Sequence, residues 1–255
     1  MWKLYEDLLA SVAEDTSGIR DFTVGPEWCA VLAEDGTIGL SRVQAELWQR
    51  QPFQIDFRPG MRLKEAVPAV RSWNPLEAAL GLASLNAYFN KPENLPADAV
   101  LYPSGRRSRG VFMQFCEEHT KGKKTLMIEP AYNRDELSAV PGVIDVIRMV
   151  PEDRDYRFNA WEDRLPEADS VVLSGAAFRE KLAPPIAAGA VAAGKELLAW
   201  GPEMPIAPVL AKYGFVQITG FIVDDPEKCL WLVKRAANRD ELLRTGHFAD
   251  TFYQK

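Results

Sequence analysis

The chain has 255 residues, 47% of them hydrophobic and 26% charged, and carries a net charge of −6. That length leaves room for one large core or two, and the acidic balance argues against general nucleic-acid binding, which relies on neutralising many phosphates. No apolar run approaches the roughly 18 residues of a membrane span, and the three cysteines, scattered and odd in number, read as reduced, buried thiols rather than a disulfide framework.

The opening MWKLYEDLLASVAED has acidic residues early and no basic segment ahead of an apolar one, so it does not read as a signal peptide and a cytoplasmic location is expected. Apolar residues at 2, 5, 8, 9 and 12 have the spacing of an amphipathic helix. Short strands are expected at 22–24, 28–32 and 37–40, the last two joined through Asp35-Gly36, a strong hairpin signal. Residues 41–60 are harder to read, because Pro52 and Pro59 interrupt any long element, and Pro68 limits the helix before Ser72.

Residues 71–90, RSWNPLEAALGLASLNAYFN, carry the most information. Asn74 suits a helix N-cap, Pro75 the first helical position, and Glu77 can reach back to close a capping box. Beyond them, small residues and leucines surround the axis, so the helix is expected to be covered on most sides. Gly81 costs about 1 kcal/mol relative to Ala in mid-helix, which suggests that another backbone or a ligand comes very close. Asn86 and Asn90, one turn apart, need partners if buried.

The proline-bounded stretch 91–96, KPENLP, is the best linker. After it, apolar runs at 100–102, 125–128, 143–147, 170–173, 196–200 and 215–223 alternate with helical patterns at 111–121, 184–193, 206–213 and 226–237. This alternation predicts a mostly parallel, doubly wound sheet. Ligands of such sheets gather outside the carboxyl ends of the strands. The first such end carries Ser104, Gly105 and Arg106, followed by Arg107 and Arg109, ahead of a helix start that favours an anion. It is not a Walker loop, since Val111 stands where Lys is needed, and a solvated basic turn is the plainer reading. Arg106, Arg107 and Arg109 with Lys121, Lys123 and Lys124 form a basic island in an acidic chain. Glu129 ends the next strand 19 residues past Gly110, near the spacing of a ribose-binding acid, although a capping or surface carboxylate fits as well. Cys116 and His119 share a helix face, but two ligands do not make a site and His247 lies in a tail, so no direct metal site is expected. There is no G-x-S-x-G elbow to make Ser174 a nucleophile.

Several of these segments resemble a family of two-domain prokaryotic proteins named for a proposed heavy-metal chelation role. Its helix pattern W-N-x-x-E-A-x-x-G-x-A-x-x-N-A is met by Trp73, Asn74, Glu77, Ala78, Gly81, Ala83, Asn86 and Ala87. The 165–169 stretch ahead of VVLSG, the Gly201-Pro202 and Pro205 positions, Tyr213-Gly214, and Gly220 with Asp225-Pro226-Glu227 are similar to its second half. Two departures stand out: Arg179-Glu180 replaces an Asn usual after Ser174, and residues 43–59 replace a Gly-rich loop.

The resemblance implies an α/β protein. An enolase-N-terminal-like α+β domain would span residues 1–93, and a Rossmann-like doubly wound domain residues 94–255. It implies an active site between them, with Glu77 and Asn86 as catalytic candidates and Asn74, Ser104, Gly105, Arg106, Ser174, Gly175, Gly201 and Pro202 as substrate-binding ones. The ligand implied is small and anionic or heteroaromatic, and the similarity suggests condensation or hydrolysis in flavin, pterin or metallophore metabolism. A non-catalytic chelate-binding protein is the first alternative. An S-adenosylmethionine-dependent methyltransferase, with Glu129 on the cofactor, is the second. The cofactor is unknown at this stage, no nucleic-acid or membrane partner is indicated, and a homo-oligomer stays open.

Overall fold

The computed structural model describes residues 2–43, 53–104 and 107–253. Apolar spacing at the chain start builds α1 (Lys3–Ser11), which buries Leu4, Tyr5 and Leu8. A three-stranded antiparallel meander follows: β1 (Ile19–Val24), β2 (Trp28–Ala33) and β3 (Ile38–Arg42). Its second turn forms at Asp35-Gly36, where the Asp35 carboxylate accepts from Thr37 N and Oγ1 and Gly36 supplies a φ of 87°. Pro68 confines α2 (Leu63–Ala66) to one turn, which tightens into a 3₁₀ segment at Val67–Arg71.

The helix α3 (Pro75–Phe89) begins as its sequence predicts, with Asn74 Oδ1 accepting from Leu76 N and Glu77 N. Glu77 does not close the capping box; its carboxylate turns toward residues 53–55 instead, and Asn74 N donates to Ser72 Oγ. Nearly every side of α3 is covered, and its glycine is explained by contact. A Cβ on Gly81 would stand 2.1 Å from Val70 N, and one on Gly39 of β3 would stand 1.9 Å from the Ala83 carbonyl oxygen. The meander and the 3₁₀ turn thus grip α3 backbone to backbone.

Beyond the 3₁₀ turn Pro92–Asn94 come β4 (Val100–Leu101), α4 (Ser108–His119), β5 (Lys124–Ile128), α5 (Arg134–Leu137), β6 (Val143–Arg148), β7 (Tyr156–Arg157), α6 (Trp161–Arg164) and β8 (Ser170–Leu173). Then follow α7 (Gly175–Arg179), α8 (Ala183–Ala192), β9 (Glu196–Trp200), β10 (Phe215–Val223), α9 (Pro226–Lys234), α10 (Arg239–Leu242) and β11 (Gly246–Phe252). The eight strands form one sheet in the order β4-β11-β10-β9-β8-β5-β6-β7. Strands β5 to β10 are parallel, and β11 pairs antiparallel with β10 and β4. The α/β class and the mostly parallel sheet agree with the sequence. The helix expected at 206–213 is only a 3₁₀ segment at Pro208–Tyr213, and the supposed tail is a full strand, so His247 belongs to β11. Among the described residues no helix is long and apolar enough to cross a membrane.

One apolar cluster joins α1, the inner face of α3, α7 and α8 on one side of the large sheet. A second, on the other side, joins Trp28 and Leu40 of the meander to α4 and α9. Cys29, Cys116 and Cys229 are free and buried within this packing. Gly81→Ala is expected to lower stability by about 2 kcal/mol or more by forcing α3 off Val70. Helix propensity alone would make Ala the better residue by about 1 kcal/mol, so the sign of the change in urea midpoint tests the contact.

Candidate functional site

The strand order of the large sheet reverses between β5 and β8, so the crevice outside their carboxyl ends is the place where an open α/β sheet takes a ligand. In this chain the crevice is filled by its own side chains. Ser174 Oγ donates to Glu129 O at 2.6 Å, closing the two strand ends on each other. Glu129 is fully buried at a left-handed φ of 53°, and its carboxylate accepts from Met149 N. Burial pushes this carboxyl above the ordinary range, against the opposing pull of the Met149 N–H, Arg42 and Arg179. Glu129 therefore offers no open surface to a ribose hydroxyl.

Over the crevice lies a buried polar seam between α3, β3 and the loop after β9. Asn86 Nδ2 donates to Leu40 O at 2.7 Å and Glu203 O at 2.8 Å. Asn90 donates to Met204 O and Phe221 O and accepts from Ile206 N. Glu203, with no exposed surface, accepts from Ser41 Oγ at 3.0 Å and Arg42 N at 2.8 Å, and Arg179 stands 3.9 Å away. Arg179, 1% exposed, pairs with Glu180 at 2.7 Å and donates to Arg42 O. Gly175 is pressed against Glu203, with an added Cβ 2.0 Å from its carbonyl oxygen. Asn86, Ser174, Gly175, Gly201 and Pro202 are all buried about this seam and do not line an open cleft.

The opening between meander and sheet lies beside this seam. A cleft of about 570 Å³ is bounded by Trp28 and Arg42 from the meander, by Tyr132 and Asn133 from the loop past β5, by Arg148 at the end of β6 and by Arg239 at the start of α10. Arg148 is fully committed, to Asp155 at 2.7 Å and to the carbonyls of Pro130 and Tyr132. Arg239 forks onto Glu136, donates to Ala131 O, and lies 4.4 Å over the Tyr132 ring, which stacks on Phe112. Burial alone would raise Glu136, yet the Arg239 hydrogen bond holds it below the usual carboxylate range.

Arg42 differs. Half-buried, it spends NH1 on Pro130 O at 3.1 Å, and its Nε and NH2 find no acceptor among the described residues. Burial lowers its pKa, with Arg179 and Arg148 adding to that and Glu203 and Glu129 opposing it. An under-compensated guanidinium at a cleft wall is a natural anion receptor.

The remaining predicted residues lie elsewhere. Glu77 accepts from Gln54 N, Ile55 N and Ser72 Oγ, so both of its oxygens are engaged, and it borders a separate pocket of about 470 Å³ beside Trp2 and Trp73. Lys181, buried at a left-handed φ of 61°, donates there to Ser72 O and Arg179 O. Ser104 sits at the far rim of the sheet and donates to Asp224, which also holds His247. Gly105 and Arg106 lie outside the described residues. The basic island is not one surface: Lys121, Lys123 and Lys124, at the other end of α4, each pair with an acid.

A directly bound heavy metal does not fit the described side chains. No group of three or more His, Cys, Asp or Glu among them could hold an ion. Burial also pushes the Cys29, Cys116 and Cys229 thiols up to about 12, far from the thiolate form that binds metal.

Sequence reasoning missed Arg42, Arg148, Arg239 and Glu203. Arg148 and Arg42 each close an apolar strand run with a cation, which was a usable signal; Arg239 and Glu203 had none beyond their charge. Removing Arg179 strands Glu203 and Glu180 in the seam, so Arg179→Met is expected to cost about 3 kcal/mol in urea unfolding. Adding Glu203→Gln should recover part of that loss.

Two family models match the chain: DUF4213 over residues 5–89 and DUF364 over residues 142–249, each described as "Putative heavy-metal chelation". Two solved structures of DUF364 proteins of unknown function are similar along almost the whole length. That from Desulfitobacterium hafniense is 24% identical, with 99% of this chain and 98% of that chain covered and a TM-score of 0.79. That from Pyrococcus horikoshii is 18% identical, with 98% of each chain covered and a TM-score of 0.74. At these identities the likeness shows the fold. No curated protein matches the chain. With both models matched in succession on one chain, this protein belongs to the DUF364 heavy-metal chelation family, with a DUF4213 segment ahead of its DUF364 segment.

Proposed function

We propose that the protein binds a small anionic, chelator-class molecule in the Arg42 cleft, between a front lobe of residues 1–93 and a rear lobe of residues 94–255. The single observation that carries this reading is Arg42, which lines the cleft and, among the described residues, has no acceptor for its Nε and NH2. Arg148, paired with Asp155, donates to the Pro130 and Tyr132 carbonyls and so fixes the cleft wall beside Arg42. Arg239 offers the face of its guanidinium opposite Tyr132 to a flat ligand group.

The family description speaks of heavy-metal chelation. A metal held by a chelating ligand reconciles that description with the described side chains, among which no group of three or more His, Cys, Asp or Glu could hold an ion. Of the three acids that line the cleft, Glu136 is tied to Arg239 and Glu152 accepts from Arg134 N, and Glu27 is the third. The seam residues Asn86, Asn90 and Glu203 act behind the ligand, fixing the backbone that aims Arg42.

Titration calorimetry with citrate, nickel(II) citrate and nickel(II) alone tests the reading, with citrate standing in for the natural acid groups. Citrate or its complex is expected to bind the wild type, to weaken tenfold or more in Arg42→Gln, about 1.4 kcal/mol, and to weaken as salt is added. Nickel(II) binding alone, equally in both proteins, with no response to citrate, would contradict it.

A further inference from the structure

The pocket of about 470 Å³ between the start of α1, the Val67–Arg71 turn and the first turn of α3 is large enough for a small molecule, and its walls differ in chemistry from the Arg42 cleft. Trp2 and Trp73 meet there edge to face, ring centres 6.2 Å apart at 83°, so that their faces form a corner. The face of an indole attracts cations. Both rings already do so: Arg71 stands 5.9 Å from the Trp2 ring centre, and Lys181, behind the lining residues, 5.6 Å from that of Trp73. Trp73 is still 61% exposed, which leaves ring surface for a ligand. The walls carry both signs of charge, from Glu6, Glu77 and Arg71. Glu77 is spent on Gln54 N, Ile55 N and Ser72 Oγ. Glu6 and Arg71 are exposed, and among the described residues they form an ion pair neither with each other nor with a third group. A carboxylate and a guanidinium left apart beside an aromatic corner match a molecule that carries both charges itself.

We propose that this pocket binds a small zwitterion of the betaine class, a methylated ammonium joined to a carboxylate. The ammonium methyls lie against Trp73 with Glu6 as the balancing charge, and the carboxylate takes the Arg71 guanidinium. Methylation suits these walls because an unmethylated ammonium brings three N–H donors that each need an acceptor. Ser72 Oγ is already committed, donating to Glu77 and accepting from Asn74 N, whereas N-methyl groups need only ring surface.

Titration calorimetry on the full chain with glycine betaine and choline tests the proposal. Glycine betaine is expected to bind saturably, and choline, which lacks the carboxylate, to bind more weakly. tert-Butylacetate, of the same shape as glycine betaine without the positive charge, should not displace choline. Trp73→Ala should weaken glycine betaine about fivefold or more, with Trp73→Phe keeping part of the affinity. Arg71→Gln should bring glycine betaine down to the affinity of choline and leave choline unchanged, a split that a general loss of structure would not give. No saturable binding of glycine betaine, displacement of choline by tert-butylacetate, or affinities that Trp73→Ala and Arg71→Gln leave unchanged would overturn the proposal.

Discussion

The grip on α3 is the constraint on which the rest of the molecule depends. Gly39 lets β3 meet one side of the helix backbone, and Gly81 lets the Val67–Arg71 turn meet another. With both contacts made, the helix cannot slide or rotate without steric collision, and interiors packed this closely transmit rather than absorb displacement. Asn86 and Asn90 then stand at set heights over the large sheet, and their amides tie the loop after β9 to the meander.

That tie explains why so much charge can be buried at the switch point. Glu203 and Arg179 are each costly to desolvate, yet each closes hydrogen bonds to the Arg42 main chain, one at its N–H and the other at its carbonyl. The backbone of Arg42 is thereby clamped on both sides while its side chain leans on Pro130 O. A crevice that other open α/β sheets use for ligands has become the mount for a half-buried cation at the cleft wall. Arg179 and Glu180, paired at 2.7 Å, lie at the centre of this mount.

Local signals explain what the sequence revealed. The cap at Asn74, the start at Pro75, and the strands Ser170–Leu173, Glu196–Trp200 and Phe215–Val223 are written in short runs with clear ends, and they occur where expected. The strand β11 was invisible because GHFADTF has no apolar run and gains its pairing only from β10 and β4, far away in the chain. One-turn helices such as α5 and α10 are too short to show a period. Asn86 was recognisable as a polar group needing partners, but the direction it faces is set by a loop more than a hundred residues later. The cleft arginines come from three distant strand or helix ends, and only the sheet order brings them together.

The central claim is that the chain holds anions, not bare metal, at Arg42. Native mass spectrometry of freshly purified protein, wild type beside Arg42→Gln, tests it most directly. The account predicts a noncovalent small-molecule adduct on the wild type that is lost from the variant. A bare divalent ion at full occupancy on both proteins would contradict it.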